Sequence, residues 1–231
     1  CAEAYLKTNK PEQAIQYSKK ALQKQSDLDE AYLTIGQAHL QLAVEAASGK
    51  EGRVQLDAAH LAEAAKIVKD LLARNPQSLE GQLLQAQVDF YGNRLPEAER
   101  LYRAVLDKTP DNAIACIGLI ELLLSRKQFV EAEMSARKAL EATPRDSAPN
   151  PVFVGQLALS LLGQDRFEDA YLTVAPYVAG DNKNPYLSLF QVASQVLFAQ
   201  LRRLGENLGE ATTPALLDET TTGTIAAAAP S

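Results

Sequence analysis

Few residues in this chain could do covalent, acid–base or metal chemistry. The 231 residues include two histidines, His39 and His60, and two cysteines, Cys1 and Cys116. Two imidazoles leave little for proton transfer and fall short of the three or four ligands that hold zinc. No Gly-rich phosphate loop, Cys-x-x-Cys pair, His-Glu-x-x-His helix or Gly-x-Ser-x-Gly elbow is present. Cys116 stands alone in an apolar helical stretch and reads as a buried small hydrophobe, and two cysteines so far apart do not form a disulfide framework. The acidic pairs Glu97/Glu99 and Glu131/Glu133 have the look of a carboxylate dyad, but they recur at a fixed offset, which marks them as solvated helix faces. The expectation is a non-enzyme with no cofactor, no metal and no small-molecule substrate. One pairing stays open. If the chain reverses near Gly49–Gly52, His39 and His60 face each other on two antiparallel helices, as plain packing, a pH-sensitive contact or a poor two-ligand metal site.

The elements that must position these residues follow from a repeat. Between Leu79 and Pro144 one pattern is written twice, 34 residues apart: Glu97, Ala98, Glu99, Arg103, Leu106, Thr109 and Pro110 fall on Glu131, Ala132, Glu133, Arg137, Leu140, Thr143 and Pro144. A period of this length is the signature of stacked repeats, in which each unit buries its apolar face against the next. Hydrophobic residues make up 46% of the chain, with 6% aromatics and no Trp, a composition that suits close-packed helices. Charge is evenly spread: residues 1–74 carry ten bases and ten acids, 75–150 nine and eleven, 151–231 four and eight. No segment has the Lys/Arg excess that phosphate neutralisation needs, so nucleic acid is not an expected partner. No apolar run reaches the roughly 20 residues of a membrane-spanning helix.

The pattern resembles the tetratricopeptide repeat, a helix–turn–helix unit with a small residue in helix A, an Ala early in helix B, an Ala-Leu pair near its end and a closing Pro. The resemblance covers residues 1–177. The first repeat supplies Ala2, Tyr5, Ala14 and Ala21-Leu22; the second Tyr32, Gly36, Ala64, Leu71-Leu72 and Pro76; the third Ala86, Ala98, Tyr102 and Pro110. The fourth has Cys116, Leu119, Leu123, Phe129, Ala132 and Ala139-Leu140, and the fifth Val154, Leu157, Ala158, Leu161, Phe167 and Ala170. Asp89 in an apolar slot and Ile120 in a small one are departures. The implied fold is all-α: a right-handed α-solenoid of about five helix pairs with a C-terminal capping helix. In this family the A helices line a concave groove, which maps here to Leu33, Gln37 and Leu40; Leu83, Gln87 and Phe90; Ile117, Glu121 and Leu124; Leu159 and Leu162. No basic carboxylate clamp appears among them. The resemblance therefore implies an apolar helix or peptide as ligand.

Departures from the period divide the rest of the chain. Ala14 to Ala64 spans 50 residues, 16 more than one period, and the excess around 41–61 keeps helical spacing. It reads as both helices of the second repeat lengthened by about eight residues each, a projecting hairpin. Pro176 removes a backbone donor and should end or kink the last helix B. Residues 178–204 then form a linker and a capping helix, opened by Asn184-Pro185 and free of charge until Arg202. Residues 205–231 turn to Thr, Ala and Gly with acids and no base, a composition that does not fold alone. Cys1 fits two readings: the lipid-bearing cysteine of a processed bacterial lipoprotein, which would tether the chain to the periplasmic face of an envelope membrane, or a cut within a longer cytoplasmic solenoid. The functional expectation is a protein–protein interaction scaffold or assembly factor working through the groove and hairpin. The alternative is a permanent structural subunit of a larger membrane-associated complex, held by its C-terminal tail.

Overall fold

A computed structural model describes residues 2–45, 56–142, 148–178, 196–197 and 199–203. Cys1, the hairpin tip at 46–55, most of the linker and cap, and the tail 205–231 lie outside the described residues. The described residues are all-α and form the five expected helix pairs: α1 (Ala2–Lys7) and α2 (Pro11–Lys24), α3 (Asp29–Glu45) and α4 (Ala58–Arg74), α5 (Leu79–Tyr91) and α6 (Leu95–Lys108), α7 (Ala113–Ser125) and α8 (Phe129–Glu141), α9 (Pro151–Leu162) and α10 (Phe167–Val178). They divide into two compact units, residues 1–122 and 123–231.

Local chemistry sets the helix ends. Ser78 caps α5 by accepting from the Gly81 amide at 3.0 Å, and Asn150 caps α9 through the Val152 amide at 3.0 Å. Pro11, Pro96 and Pro151 occupy the first turns of α2, α6 and α9, where no amide donor is missed. Between the helices of four pairs stands one residue with positive φ: Asn9 at 57°, and Asn93, Lys127 and Asp165 at 59°. This left-handed residue reverses the chain, and Asn and Asp tolerate it best.

In the first unit α3 packs against α2, α4 and α5. Ala14, Ile15, Ile35 and Ala38 form one buried cluster, and Leu40, Ala64, Val68, Leu84 and Val88 a second. The small-residue slots behave as the repeat requires: a Cβ on Gly36 would meet Leu84 Cδ2 at 2.7 Å. Ile120, in the fourth repeat's small slot, is wholly buried, and Gly118, two residues earlier, supplies the room instead, lying against the Tyr102 ring. In the second unit Gly163 does the same for Phe129, whose ring carbons lie 2.3–2.4 Å from where a Cβ would stand.

The second helix of the extended repeat begins later than the spacing predicts, while residues 46–55, into which the first would continue, lie outside the described residues. Aligned on Gly36 and Ala86, α3 runs at least four residues past the end of α5, to the last described residue Glu45; aligned on Ala64 and Ala98, α4 starts three residues earlier than α6. The reason is Asp57, whose carboxylate accepts the Ala59 and His60 amides at 2.8 and 3.1 Å and so fixes the start of α4. The Asp57 amide also donates to the Ala43 carbonyl at 3.1 Å, which ties the start of α4 to α3. Pro176 lies inside α10, whose described residues run to Val178. In the second unit the helical residues 199–203 bring Arg203 to the Asp165 carbonyl at 3.3 Å and over the Phe167 ring at 5.6 Å.

Candidate protein-interaction groove

Helices α3, α5 and the start of α7 enclose a recess of about 450 Å³ in the first unit. Its floor is apolar: Leu40, Leu83 and Leu84 are buried, Val44 and Tyr91 half-buried, and Ile114 is 52% exposed at the end of α7. The amides of Gln37, Gln41 and Gln87 and the carboxylates of Glu45 and Glu80 edge it. Heptad-like spacing produces this surface: Gln37, Leu40, Gln41 and Val44 lie on one face of α3, and Glu80, Leu83, Leu84, Gln87 and Tyr91 on one face of α5.

Four residues of the expected groove, Gln37, Leu40, Leu83 and Gln87, come together in this recess. Leu33 packs on the core beneath it, and with Gln37 and Glu80 also lines a second recess of about 470 Å³ beside Tyr17, Ser18 and Ala21 of α2. Phe90 is half-buried and meets Tyr91 edge-on at 5.3 Å. Ile117 is half-buried, and Glu121 keeps an exposed face. Burial pushes the Glu121 carboxyl above its usual range, and its charge adds to the burial that raises the phenols of Tyr91 and Tyr102. Leu124, Leu159 and Leu162 belong to the second unit, where Leu159 is 37% exposed and the other two half-buried. Gln41, Val44, Glu45, Glu80, Leu84, Tyr91 and Ile114 escape a mapping of three positions per helix. Most of them lie one turn before or after a mapped residue, so the i±3 and i±4 neighbours of that mapping were the usable signal.

The titratable residues are structural in geometry. The His39 and His60 Nδ1 atoms lie 3.0 Å apart with ring centres at 5.3 Å, so one ring donates and the other accepts. Burial, then the charges of His60 and Lys19, lower the His39 pKa, and Glu63 opposes them. Among the described residues no group of three or more His, Cys, Asp or Glu side chains could hold a metal. Cys116 is only half-buried, with Sγ 4.0 Å from the Pro110 carbonyl, because the start of α7 faces outward at Ala113 and Ile114. Glu133 is a clearer correction. It is not solvated but 8% exposed, receiving the Gln164 amide at 2.8 Å and the guanidinium groups of Arg137 and Arg166 at 2.8–3.0 Å. Burial opposes its ionisation, but these donors outweigh it and hold the carboxyl below the usual carboxylate range. Glu99, by contrast, pairs with Arg103 one turn along the same helix at 2.9 Å. Asp89 is buried too, held by Arg94 at 2.7–2.8 Å and by the Gln85 amide at 2.9 Å, which explains its tolerance in an apolar slot.

Comparison with known proteins agrees with this architecture. Residues 83–147 match the family model of the tetratricopeptide repeat. A tetratricopeptide repeat protein from Parabacteroides merdae superposes with a TM-score of 0.61 at 18% identity, over 84% of this chain and 68% of that one. A thermophilic protein of the same class from Thermus thermophilus gives 0.61 at 16% identity, over 87% and 95%. The assembly chaperone of RpL4, Acl4, gives 0.54 at 13% identity, over 90% and 83%. No curated protein matches the sequence.

Proposed function

We propose that this tetratricopeptide-repeat chain is a non-enzymatic scaffold or assembly factor that docks an apolar helix or peptide in the groove between α3, α5 and the start of α7. The repeat fold is a protein-interaction scaffold, and the observation that carries the finer reading is the recess itself. Ile114 is 52% exposed beside half-buried Val44 and Tyr91, a contiguous apolar patch rimmed by amides. Patches of this kind on a folded chain mark partner sites, and a helix in a groove is one of the recurring ways to fill them. The test is a neutral double substitution, Val44→Asn with Ile114→Asn, compared with Glu97→Gln on the exposed surface of α6. A partner that co-purifies with the wild type should be lost from the groove variant and kept by the Glu97 variant, with helicity unchanged by circular dichroism. Retention by the folded groove variant would overturn the assignment. The membrane tether at Cys1 is a separate proposal: a diacyl or triacyl increment in the intact mass supports it, and an unmodified cysteine at the mature start refutes it.

A further inference from the structure

The groove has a charge pattern that names its occupant more closely. Helices α3, α5 and α7 carry six acids, Asp29, Glu30, Glu45, Glu80, Asp89 and Glu121, and no Lys or Arg. The intervening helices α2, α4 and α6 also carry six acids, but with nine bases. A general scarcity of charge near a packed layer would have depleted both signs. Here only the bases are missing, and only from the helices that build the recess. Asp89 is neutralised by Arg94 from the α5–α6 turn, whereas Glu45 and Glu80 stand at the edge of the recess. Glu121, one helix further, is close enough to Tyr91 at the recess wall for its charge to be felt there. Low-dielectric walls with one sign of charge focus the field into a cleft.

Resting on the groove assignment above, we infer that the occupant is a cationic amphipathic segment, with an apolar face seated on Leu40, Val44, Leu83 and Ile114 and Lys or Arg side chains reaching Glu45 and Glu80. The chain's own tail is a poor candidate. Residues 205–231 hold Glu206, Glu210, Asp218 and Glu219 and no base, so they would meet like charge at the rim. A partner with basic flanks gains the complementary field, which raises its association rate and rejects acidic competitors.

The experiment uses two fluorescein-labelled 18-residue helical peptides of identical Leu pattern, one filled with Lys and one with Glu, titrated with the full chain and read by fluorescence anisotropy. The Leu/Lys peptide should bind at least tenfold more tightly than the Leu/Glu peptide, and lose affinity severalfold between 50 and 300 mM salt, as exposed pairs are screened. Glu45→Lys with Glu80→Lys should weaken the Leu/Lys peptide at least tenfold. Glu12→Lys with Asp70→Lys, the same net change placed on α2 and α4, should change it less than twofold. Equal losses from both charge variants, or equal binding of both peptides, overturn the inference. The Val44→Asn/Ile114→Asn variant separates the two levels. If both peptides bind equally and both lose affinity in that variant, the groove stands and the cationic preference falls. If neither peptide responds to it, the groove assignment falls as well.

Discussion

Replacing Gly118 with alanine should destabilise the first unit, although the same change inside most helices stabilises it. An ideal Cβ at Gly118 would stand 2.4 Å from Tyr102 Cζ and 2.6 Å from both Cε1 and Oη. Carbon atoms in comfortable contact lie about 3.5–4.0 Å apart, so the ring or the helix would have to retreat by more than about 1 Å. Tyr102 is 1% exposed, which leaves the ring no void to move into. Overpacking of this kind costs about 1–3 kcal/mol. Alanine recovers about 0.8–1 kcal/mol of helix propensity over glycine. Because two ring carbons and the hydroxyl oxygen clash at once the cost belongs in the upper half of its range, and the net loss is about 1–2 kcal/mol. Urea titration followed at 222 nm measures it as a lower midpoint with an unchanged slope. In a Tyr102→Leu background the clash is gone, and Gly118→Ala should become neutral or stabilising. Since α7 also carries Ile114, the variant should bind the Leu/Lys peptide less tightly at a temperature where it remains folded. A raised midpoint in the wild-type background, or the same shift in both backgrounds, would refute the packing argument.

Two further predictions concern titration. Glu133→Gln should lower the stability of the second unit by about 1–3 kcal/mol at pH 7, the range for charge-assisted hydrogen bonds lost from a buried acceptor whose arginine partners can rehydrate. Because the folded pKa of Glu133 is depressed, its contribution is complete above the unfolded value near 4.5 and is lost as pH falls through the folded value, so the gap in urea midpoint between wild type and variant should narrow progressively as pH falls below 4.5. His39 is also depressed, below 6.5, by burial and by its neighbours His60 and Lys19, with Glu63 in opposition. Stability should therefore hold above about pH 6.5 and decline as the unfolded chain takes up the proton first. The His39 ring titration by NMR should have its midpoint below 6.5, and His60→Ala should move it upward; a midpoint at or above 6.5 in the wild type would contradict the geometry.

The fold was largely readable because a 34-residue offset is a property of the chain itself, independent of any contact. Ala98/Ala132 and Pro110/Pro144 located the helix pairs. The facing of His39 and His60 followed from a reversal near Gly49–Gly52 and holds at 3.0 Å. What was not readable depends on atoms that meet across helices. The start of α4 was placed too early because Asp57 is a strong cap only once its carboxylate has turned to the Ala59 and His60 amides. Glu133 looked solvated because its partners Gln164 and Arg166 stand more than thirty residues away. The transfer of the small-residue role from position 120 to Gly118 is visible only when the Tyr102 ring is in place. The family mapping shares Gln37, Leu40, Leu83 and Gln87 with the recess and leaves out Val44, Tyr91 and Ile114, since packing, not period, decides where a recess stops.

The charge asymmetry between alternate helices has a further consequence. Two bases on the B helices pair with an acid one turn away on the same helix, Arg103 with Glu99 at 2.9 Å in the first unit and Arg137 with Glu133 at 2.8 Å in the second. Such i, i+4 pairs shorten the reach of the charges they join, and on α6 three acids balance three bases. An acid on α3 or α5 has no base on its own helix, and Asp89 is neutralised by a residue of the following turn, Arg94. The net charge of the whole chain, −6, conceals this division, because residues 1–74 balance to zero while α3 alone carries three acids and no base. In a stacked-repeat protein the informative charge is therefore that of each helix class taken separately. By that measure the negative field lies on the same helices as the apolar recess, which is the arrangement a basic amphipathic partner requires and an acidic one cannot use.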